Sequence, residues 1–266
     1  MGGMSTHKQP NIDWLGWLRR WDAQQEGYVP DREARFTAMF DALAGLLPAS
    51  FVALDLACGP GSISARLLAR FPDARAIAVD MDPVMLAIGR NALGTVDGRL
   101  TWIQADLASP DWRDALGDTK IDAVLSTTAL HWLEPDALVR VYGDLHSLLR
   151  PGGVFLNGDH LAFGTAFPTL ARLSQRVLDE QWADVSFAGR GIETAEQWWD
   201  AVALESGFEP LLDDRTRILA GKKRQESPPG FDAHITALHQ AGFGEVGTIW
   251  QALSNRVLLA VRPPGN

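Results

Sequence analysis

Asp55, Asp80, Asp106, His131, Asp159 and His160 stand at or just beyond the ends of short apolar runs, where side chains that carry charge or protons can meet a ligand. Asp55 lies in FVALDLACGPG, in which Phe51–Leu56 reads as a buried strand and Ala57–Gly61 as a tight turn. Gly59 and Gly61 remove side chains where a ligand approaches the backbone, and the helix start that follows supplies free N–H groups. Asp55 adds a negative charge, so a purely anionic ligand gains little there. A ligand with a cationic amine, a carboxylate and hydroxyls suits the turn better. The plainer reading is a strand, turn and helix whose glycines serve geometry alone. Asp80 closes a second strand and can accept two hydrogen bonds from ribose hydroxyls, worth about 1.5 to 3 kcal/mol each. Its alternative, shared with Asp82, is to cap the helix that begins near Pro83. Histidine titrates near neutral pH, which makes His131 the first candidate for proton transfer or ligand contact and His160 the second. His131 between Leu130 and Trp132 also fits a hydrogen-bonded structural role, and Asp159 and His160 fit loop backbone partners. No metal cluster, activated Ser or Cys triad, or hydrolase carboxylate pair stands out.

The elements that must hold these groups alternate between strand and helix. Apolar runs at Phe51–Leu56, Ala74–Val79, Leu100–Gln104, Ile121–Ser126 and Val154–Asn157 read as strands, with helices over Ser62–Phe71, around Val84–Ile88 and over Asp136–Leu149. Such alternation predicts a parallel sheet with helices on both faces, whose ligands gather beyond the strands' C-terminal ends. Ahead of the sheet, apolar spacing predicts a helix over Ile12–Trp21, a break over Gln24–Asp31 and a second helix over Asp31–Leu47. Tyr28, Arg32 and Arg35 are the polar side chains of this region expected to reach the glycine turn. From Leu161 to about Pro229 the alternation stops, and helical patterns at Phe167–Val185 and Ala195–Leu204 predict an insertion over the sheet. Trp182, Phe187, Trp198 and Trp199 are its candidates for lining an acceptor pocket or, as plainly, for packing the added layer. The charged run Gly221–Glu226 reads as an exposed connection. A helix at Phe231–Ala241 and strands at Glu245–Gln251 and Asn255–Arg262, an antiparallel edge hairpin, complete the chain. The organisation expected is an N-terminal helical cap (1–48), a Rossmann-like core (49–160), a helical insertion (161–229) and a closing segment (230–266).

The net charge of -9, from 33 acidic and 24 basic residues, disfavours a broad nucleic-acid footprint and favours small-molecule chemistry. A hydrophobic content of 46% supports a large buried core, and no long uncharged apolar stretch resembles a membrane span. With no secretory pattern at MGGMSTHKQPN and a lone Cys58, a soluble cytoplasmic protein without an internal disulfide is expected.

LDLACGPG (Leu54–Gly61), AVDMD (Ala78–Asp82), QADL (Gln104–Leu107), DAVLSTTALHWL (Asp122–Leu133) and LLRPGGVFL (Leu148–Leu156) occur in this order, and the chain thereby resembles the class I S-adenosylmethionine-dependent methyltransferases. The resemblance implies a Rossmann-like, seven-stranded, mostly parallel sheet with one reversed edge strand, in agreement with the strands read above. It also implies that Asp55, Gly59 and Gly61 surround the methionine moiety, that Asp80 holds the ribose hydroxyls, and that Met81 packs beside adenine. Asp106 then accepts from the adenine amine, Leu107 adds a backbone contact, Gln104 borders them, and Thr127 and the loop to His131 lie near the sulfonium. Ala57 stands where many members carry another glycine. A nicotinamide site is the structural rival, but Ser64 occupies the position of the third glycine of GxGxxG. TTALHW after the fourth strand differs from the asparagine-proline-proline-aromatic signature of amino-methylating members that act on nucleic acid or protein. The implied cofactor is S-adenosyl-L-methionine, leaving S-adenosyl-L-homocysteine, and the implied partner is a small-molecule acceptor met by Trp132, Asp159, His160, Trp182, Trp198 and Trp199. No nucleic acid, membrane or metal is expected, and the oligomeric state is open between monomer and homodimer. The competing readings are a methyltransferase acting on protein or RNA and a noncatalytic nucleotide-binding protein of the same fold.

Overall fold

The structure is a computed structural model that describes residues 12–222 and 228–265. Its centre is a seven-stranded sheet in the order β3-β2-β1-β4-β5-β7-β6. The strands are β1 (Val52–Leu56), β2 (Arg75–Asp80), β3 (Leu100–Gln104), β4 (Ile121–Thr127), β5 (Leu149–His160), β6 (Glu245–Ala252) and β7 (Asn255–Val261). β1 pairs in parallel with β2 on one side and β4 on the other, so the strand order reverses at β1 and a crevice opens above its C-terminal end. β7 is the reversed strand, antiparallel to both neighbours. It lies one place inside the edge, between β5 and the edge strand β6.

Ten α-helices are assigned among the described residues: α1 (Trp14–Tyr28), α2 (Arg32–Leu46), α3 (Ser62–Arg70), α4 (Pro83–Leu93), α5 (Pro135–Leu148), α6 (Pro168–Trp182), α7 (Asp184–Arg190), α8 (Ala195–Leu204), α9 (Glu209–Leu219) and α10 (Phe231–Gln240). Strand residues alternate between two apolar layers, as side chains on a pleated sheet must. Leu54, Leu56, Val124 and Phe155 meet α5 and α10 through Leu138, Val141, Leu145 and Leu238. Ala53, Ala78, Leu125 and Leu156 meet α2 and α3 through Phe36, Met39, Leu43, Ile63 and Leu67. Burying each large side chain contributes about 1.5 to 3 kcal/mol, enough to set both faces. A third cluster joins α1, α4 and α8 through Trp17, Leu18, Val84, Ile88, Trp198 and Val202, with Phe208 beside them.

Several boundaries differ from those expected. α1 runs through the predicted break to Tyr28, because Gln24 and Gly27 are buried on the packed side and Val29 N–H closes the last turn on the Gln25 carbonyl. β5 begins at Leu149, and the Arg150–Gly153 stretch is a local irregularity in its pairing with β4 between Ile121 and Ala123. The insertion holds four helices. Its long apolar pattern divides at Ala183 into α6 and α7, while α9 interrupts its apolar pairs with the polar run Asp213–Arg217, which hid it from periodicity alone. Of the charged run, Gly221 and Lys222 are described and exposed, and residues 223–227 lie outside the described residues. Among the described residues no helix is long and apolar enough to cross a membrane.

Candidate functional site

The glycine turn shows why small residues are needed there. Ala57 (φ 54), Gly59 (φ 55) and Gly61 (φ 85) all occupy the left-handed region, which a side chain makes costly by about 1 to 2 kcal/mol. Ala57 accepts that cost, where a glycine would avoid it. The two glycines divide their duties. A Cβ at Gly61 would stand 2.5 Å from Trp102, whereas a Cβ at Gly59 would find only Trp21, at 3.9 Å. Gly61 thus makes room for the protein's own indole, and Gly59 is the position with space above it.

Asp80 braces this turn, its Oδ2 accepting from Gly59 N at 2.7 Å and its Oδ1 from Asp82 N at 2.8 Å. Each oxygen keeps a lone pair for a ligand hydroxyl. Asp82 is the helix cap, accepting from Val84 N and Met85 N, which leaves Asp80 as the carboxylate for a ligand. Burial pushes the Asp80 carboxyl up to about 6 even though the side chain keeps some solvent contact. Asp55 is fully enclosed, turned toward α3, and accepts from Ser64 N (3.0 Å) and Ser64 Oγ (2.7 Å). Burial raises it to about 7 against the pull of those hydrogen bonds. Along β3, Gln104 Nε2 donates to the Met81 carbonyl, Leu107 is buried in the core, and Asp106 accepts from Ala108 N and from Lys222 Nζ.

The second group of polar side chains lies over the ends of β4, β5 and β7. Asp159 is buried, and its oxygens take His131 Nδ1 at 2.8 and 3.0 Å and His160 N at 2.8 Å. Burial alone would raise this carboxyl, but the His131 and Arg35 charges and the hydrogen bonds hold it down at about 2. It is therefore a carboxylate at neutral pH, an acceptor only, and His131 Nδ1 must be the donor. His160 packs edge-on against Trp182 with ring centroids 5.5 Å apart, and among the described residues neither of its ring nitrogens has a hydrogen-bond partner of good geometry. Burial and the Arg35 charge lower it to about 4, so it is neutral at pH 7 and a weaker base than proton transfer at that pH favours.

The N-terminal side chains expected at the glycine turn are distributed differently. Arg32 bonds Asp22 Oδ1 at 2.8 Å and lies over the Phe36 ring, while Asp22 also takes Ser62 Oγ (2.6 Å) and Arg66 Nη1 (3.1 Å), fastening α1 to the start of α3. The Tyr28 ring lies tilted against Phe187, with centroids 4.6 Å apart, and meets Trp182 edge-on, whose Nε1 donates to the Tyr28 carbonyl. Arg35 points to the ends of β4, β5 and β7, where Thr127 is among its acceptors. Trp21, from α1, is the residue above Gly59. Sequence periodicity had placed it simply on the helix's apolar face.

The insertion's tryptophans also separate. Trp198 is fully buried, edge-on to Trp17, Trp21 and Trp199, and belongs to the third apolar cluster. Trp199 lies under the Arg215 guanidinium at 3.8 Å, and Arg215 Nε donates to Asp82 Oδ2 at 2.7 Å. Trp182 is near His160, and Trp132 is half exposed beside the His131 ring at 4.5 Å. A depression along β6, at Thr248 and Ile249, holds none of the predicted site residues, and one between α7 and α8, at Asp184 and Gln197, includes Phe187 but none of the tryptophans. Among the described residues no cluster of His, Cys, Asp and Glu could hold a metal ion.

Residues 53–153 match the family model described as "Methyltransferase domain". Two curated relatives are named trans-aconitate 2-methyltransferase. The one from Azoarcus sp. (strain BH72) is 36% identical over 50% of this chain and 48% of its own length, and the one from Methylobacterium radiotolerans is 39% identical over 41% and 37%. The chain thus matches about half the length, or less, of these relatives. An O-methyltransferase family protein from Burkholderia thailandensis shares the fold at a TM-score of 0.54 and 17% identity, covering 95% of this chain and 70% of that one. An O-methyltransferase family 2 protein from Planctomyces limnophilus, solved with apigenin, does so at a TM-score of 0.53 and 17% identity, covering 92% and 62%. The matched residues 53–153 span β1 to the middle of β5, so the stretch similar to a methyltransferase domain is the one that carries the glycine turn and the Asp80 carboxylate.

Proposed function

We propose that this chain, through its class I methyltransferase domain, transfers a methyl group from S-adenosyl-L-methionine to an oxygen, nitrogen or carbon of a small organic acceptor. The observation that carries this reading is Asp80, whose two oxygens brace Gly59 and Asp82 at a turn where a Cβ on Gly59 would meet only Trp21, at 3.9 Å. That cradle fits a nucleoside: a carboxylate with spare lone pairs for hydroxyls, and a turn where no side chain blocks approach. Asp80 and the Gly59 backbone would hold the ribose and amino-acid portions, with Met81, Asp106 and Leu107 at the base. When bound, the cofactor supplies a methyl carbon on a positively charged sulfur, which an acceptor lone pair displaces directly.

The chain's own residues then have three tasks. Asp80 and Asp159 supply negative charge suited to a cationic ligand, while α1 covers the turn through Trp21. Thr127 and the turn to His131 border the reacting region. His131 is held by Asp159 through Nδ1, so its Nε2 is the nitrogen left to take a proton from a hydroxyl or acidic carbon acceptor. An unprotonated amine needs no such step. The buried cation of Arg35 keeps Asp159 ionised, and His160, neutral and enclosed beside Trp182, is suited to contact rather than to proton transfer.

Because the curated relatives are named for trans-aconitate, that compound is the first acceptor to test. The wider test incubates the protein with methyl-labelled donor and a cell extract separated into small-molecule and macromolecular fractions. Label in small-molecule products, absent with Asp80→Asn, is the expected result. Label confined to protein or RNA, or no label in any fraction, would overturn the reading.

A further inference from the structure

We propose that Arg35 is a positioning residue: its guanidinium fixes the Thr127–Thr128 turn against the Gly158–Asp159 strand end, so that docking of α2 sets the His131–Asp159 pair. The inference rests on the methyl-transfer reading of that pair as the acceptor side of the site. Sequence alone places Arg35 among the groups that reach for the cofactor, and its surroundings give it a different occupation.

The side chain is fully buried. Its Nη1 donates to Thr127 Oγ1 (2.8 Å), Thr128 Oγ1 (3.0 Å) and the Gly158 carbonyl (2.8 Å), and its Nε to Asn255 Oδ1 (3.0 Å), an oxygen that also takes Nη2. These acceptors belong to the end of β4, the turn after it, β5 and β7, and every guanidinium nitrogen is engaged. A ligand carboxylate would have to displace protein acceptors to reach the fork. The fit is close on the other side as well, because a Cβ at Gly158 would stand 2.4 Å from Arg35 Cδ. Gly158 is thereby explained as the passage for the arginine stem.

Two features show what the contact controls. Thr128 is a β-branched residue at φ 54, a strained conformation that persists only where neighbours hold it. Its restraints are Arg35 Nη1 on the hydroxyl and its own N–H on the Gly158 carbonyl at 2.9 Å. That turn leads directly into the short 3-10 turn Leu130–Trp132, which carries His131. Asp159 follows Gly158, and the Arg35 charge is one of the influences that keep its carboxyl low. The same guanidinium therefore reaches both sides of the His131–Asp159 contact: the turn that presents the ring and the strand end that presents the carboxylate. A lysine would retain the charge but not the planar fork needed for acceptors on four segments.

The test compares the parent with Arg35→Lys and Asn255→Ala in protein labelled with 15N at histidine, with His131→Gln assigning the resonance. The parent is expected to show the tautomer protonated at Nδ1. Arg35→Lys should shift His131 toward a mixture of tautomers while the calorimetric Kd for S-adenosyl-L-homocysteine stays within about threefold. Asn255→Ala, which removes the acceptor of Nε and Nη2, should move the resonance in the same direction by less. It decides the matter if thermal melts show that Arg35→Lys does not fold. Folded variants with a parent-like His131 signature would overturn the proposal. So would a loss of affinity above about 30-fold with that signature unchanged, since Arg35 would then be a cofactor ligand. A parent chain that fails to bind the nucleoside would instead refute the methyl-transfer reading and leave the tautomer comparison to judge Arg35 by itself.

Discussion

Replacing Asp80 by Asn keeps the shape of the side chain and removes its charge. In the structure each Asp80 oxygen accepts one backbone N–H, from Gly59 or from Asp82, and has capacity for one hydroxyl. Asparagine offers one carbonyl oxygen in place of two charged ones, so the ligand loses one charge-assisted hydrogen bond outright and the charge on the other. At about 1.5 to 3 kcal/mol per such bond, the expected loss is about 2 to 3 kcal/mol, or roughly 30- to 150-fold in Kd. Stability should change far less. Because burial raises the folded carboxyl from 3.8 to about 6, its contribution to stability is complete below pH 3.8 and is lost as pH rises through 6. At pH 7.5 the parent carries a buried charge that the variant lacks, which offsets much of the loss of one backbone N–H bond, since the Asn amide nitrogen cannot accept, a loss of about 1 kcal/mol. The assay is calorimetric titration with S-adenosyl-L-homocysteine between pH 5 and 8, paired with thermal melts. Parent affinity should weaken as pH falls below 6, by up to about tenfold per unit, and the variant should show a flatter profile. A folded Asp80→Asn protein that binds within about threefold of the parent at pH 7.5 would refute the reasoning.

Asp159→Asn should slow methyl transfer to the acceptor found by label transfer by about 10²- to 10³-fold with little change in cofactor affinity, because His131 loses its anionic partner. The same variant tests stability: the folded carboxyl near 2 contributes stability above pH 3.8 that is lost as pH falls through 2, so a melt at pH 7 should drop, and an unchanged melt and rate would count against the dyad. Gly61→Ala should destabilise by about 3 kcal/mol, roughly 6 to 12 °C in melting temperature, because strain at φ 85 adds to a clash with Trp102. Gly59→Ala should cost only about 1 kcal/mol in stability yet weaken cofactor binding more than about tenfold, and equal melts for the two would contradict the division of duties drawn between them. Asp22→Ala strips the partner from Arg32, which is only 4% exposed, and should cost about 2 kcal/mol and loosen α1, read as faster proteolysis near residues 28–31; unaltered cleavage would oppose the latch.

Much of this was legible in the chain because buried strands and glycine turns are local signals. LDLACGPG announced β1 and its turn, and the alternation that follows announced the order of strands and helices up to Asn157. Asp82 was legible as the helix cap and Asp80 as the carboxylate left for a ligand, but the backbone N–H that each carboxylate meets depends on the folded turn. The partners of Arg35 were beyond local reading: Thr127, Gly158 and Asn255 converge only when β7 inserts between β5 and β6. TTALHW was legible only as a departure from the asparagine-proline-proline-aromatic signature, and the strain at Thr128 has no local signal beyond its pair of threonines. Trp21 and Asp22 were hidden because one apolar and one acidic residue on a helix look like ordinary amphipathicity. α9 was missed for a related reason: the polar run Asp213–Arg217 separates its apolar pairs Leu211–Leu212 and Ile218–Leu219, so the stripe is interrupted for a full turn.

The central claim concerns where a sulfonium nucleoside rests and which way its methyl group faces. A crystal structure grown with saturating S-adenosyl-L-homocysteine measures this directly. The account predicts ribose hydroxyls on Asp80, the amino-acid end at Gly59 beneath Trp21, and the sulfur turned toward Thr127 and the His131–Asp159 pair. A nucleoside bound away from the β1–β4 crevice, or seated there with its sulfur pointing away from that pair, would contradict it.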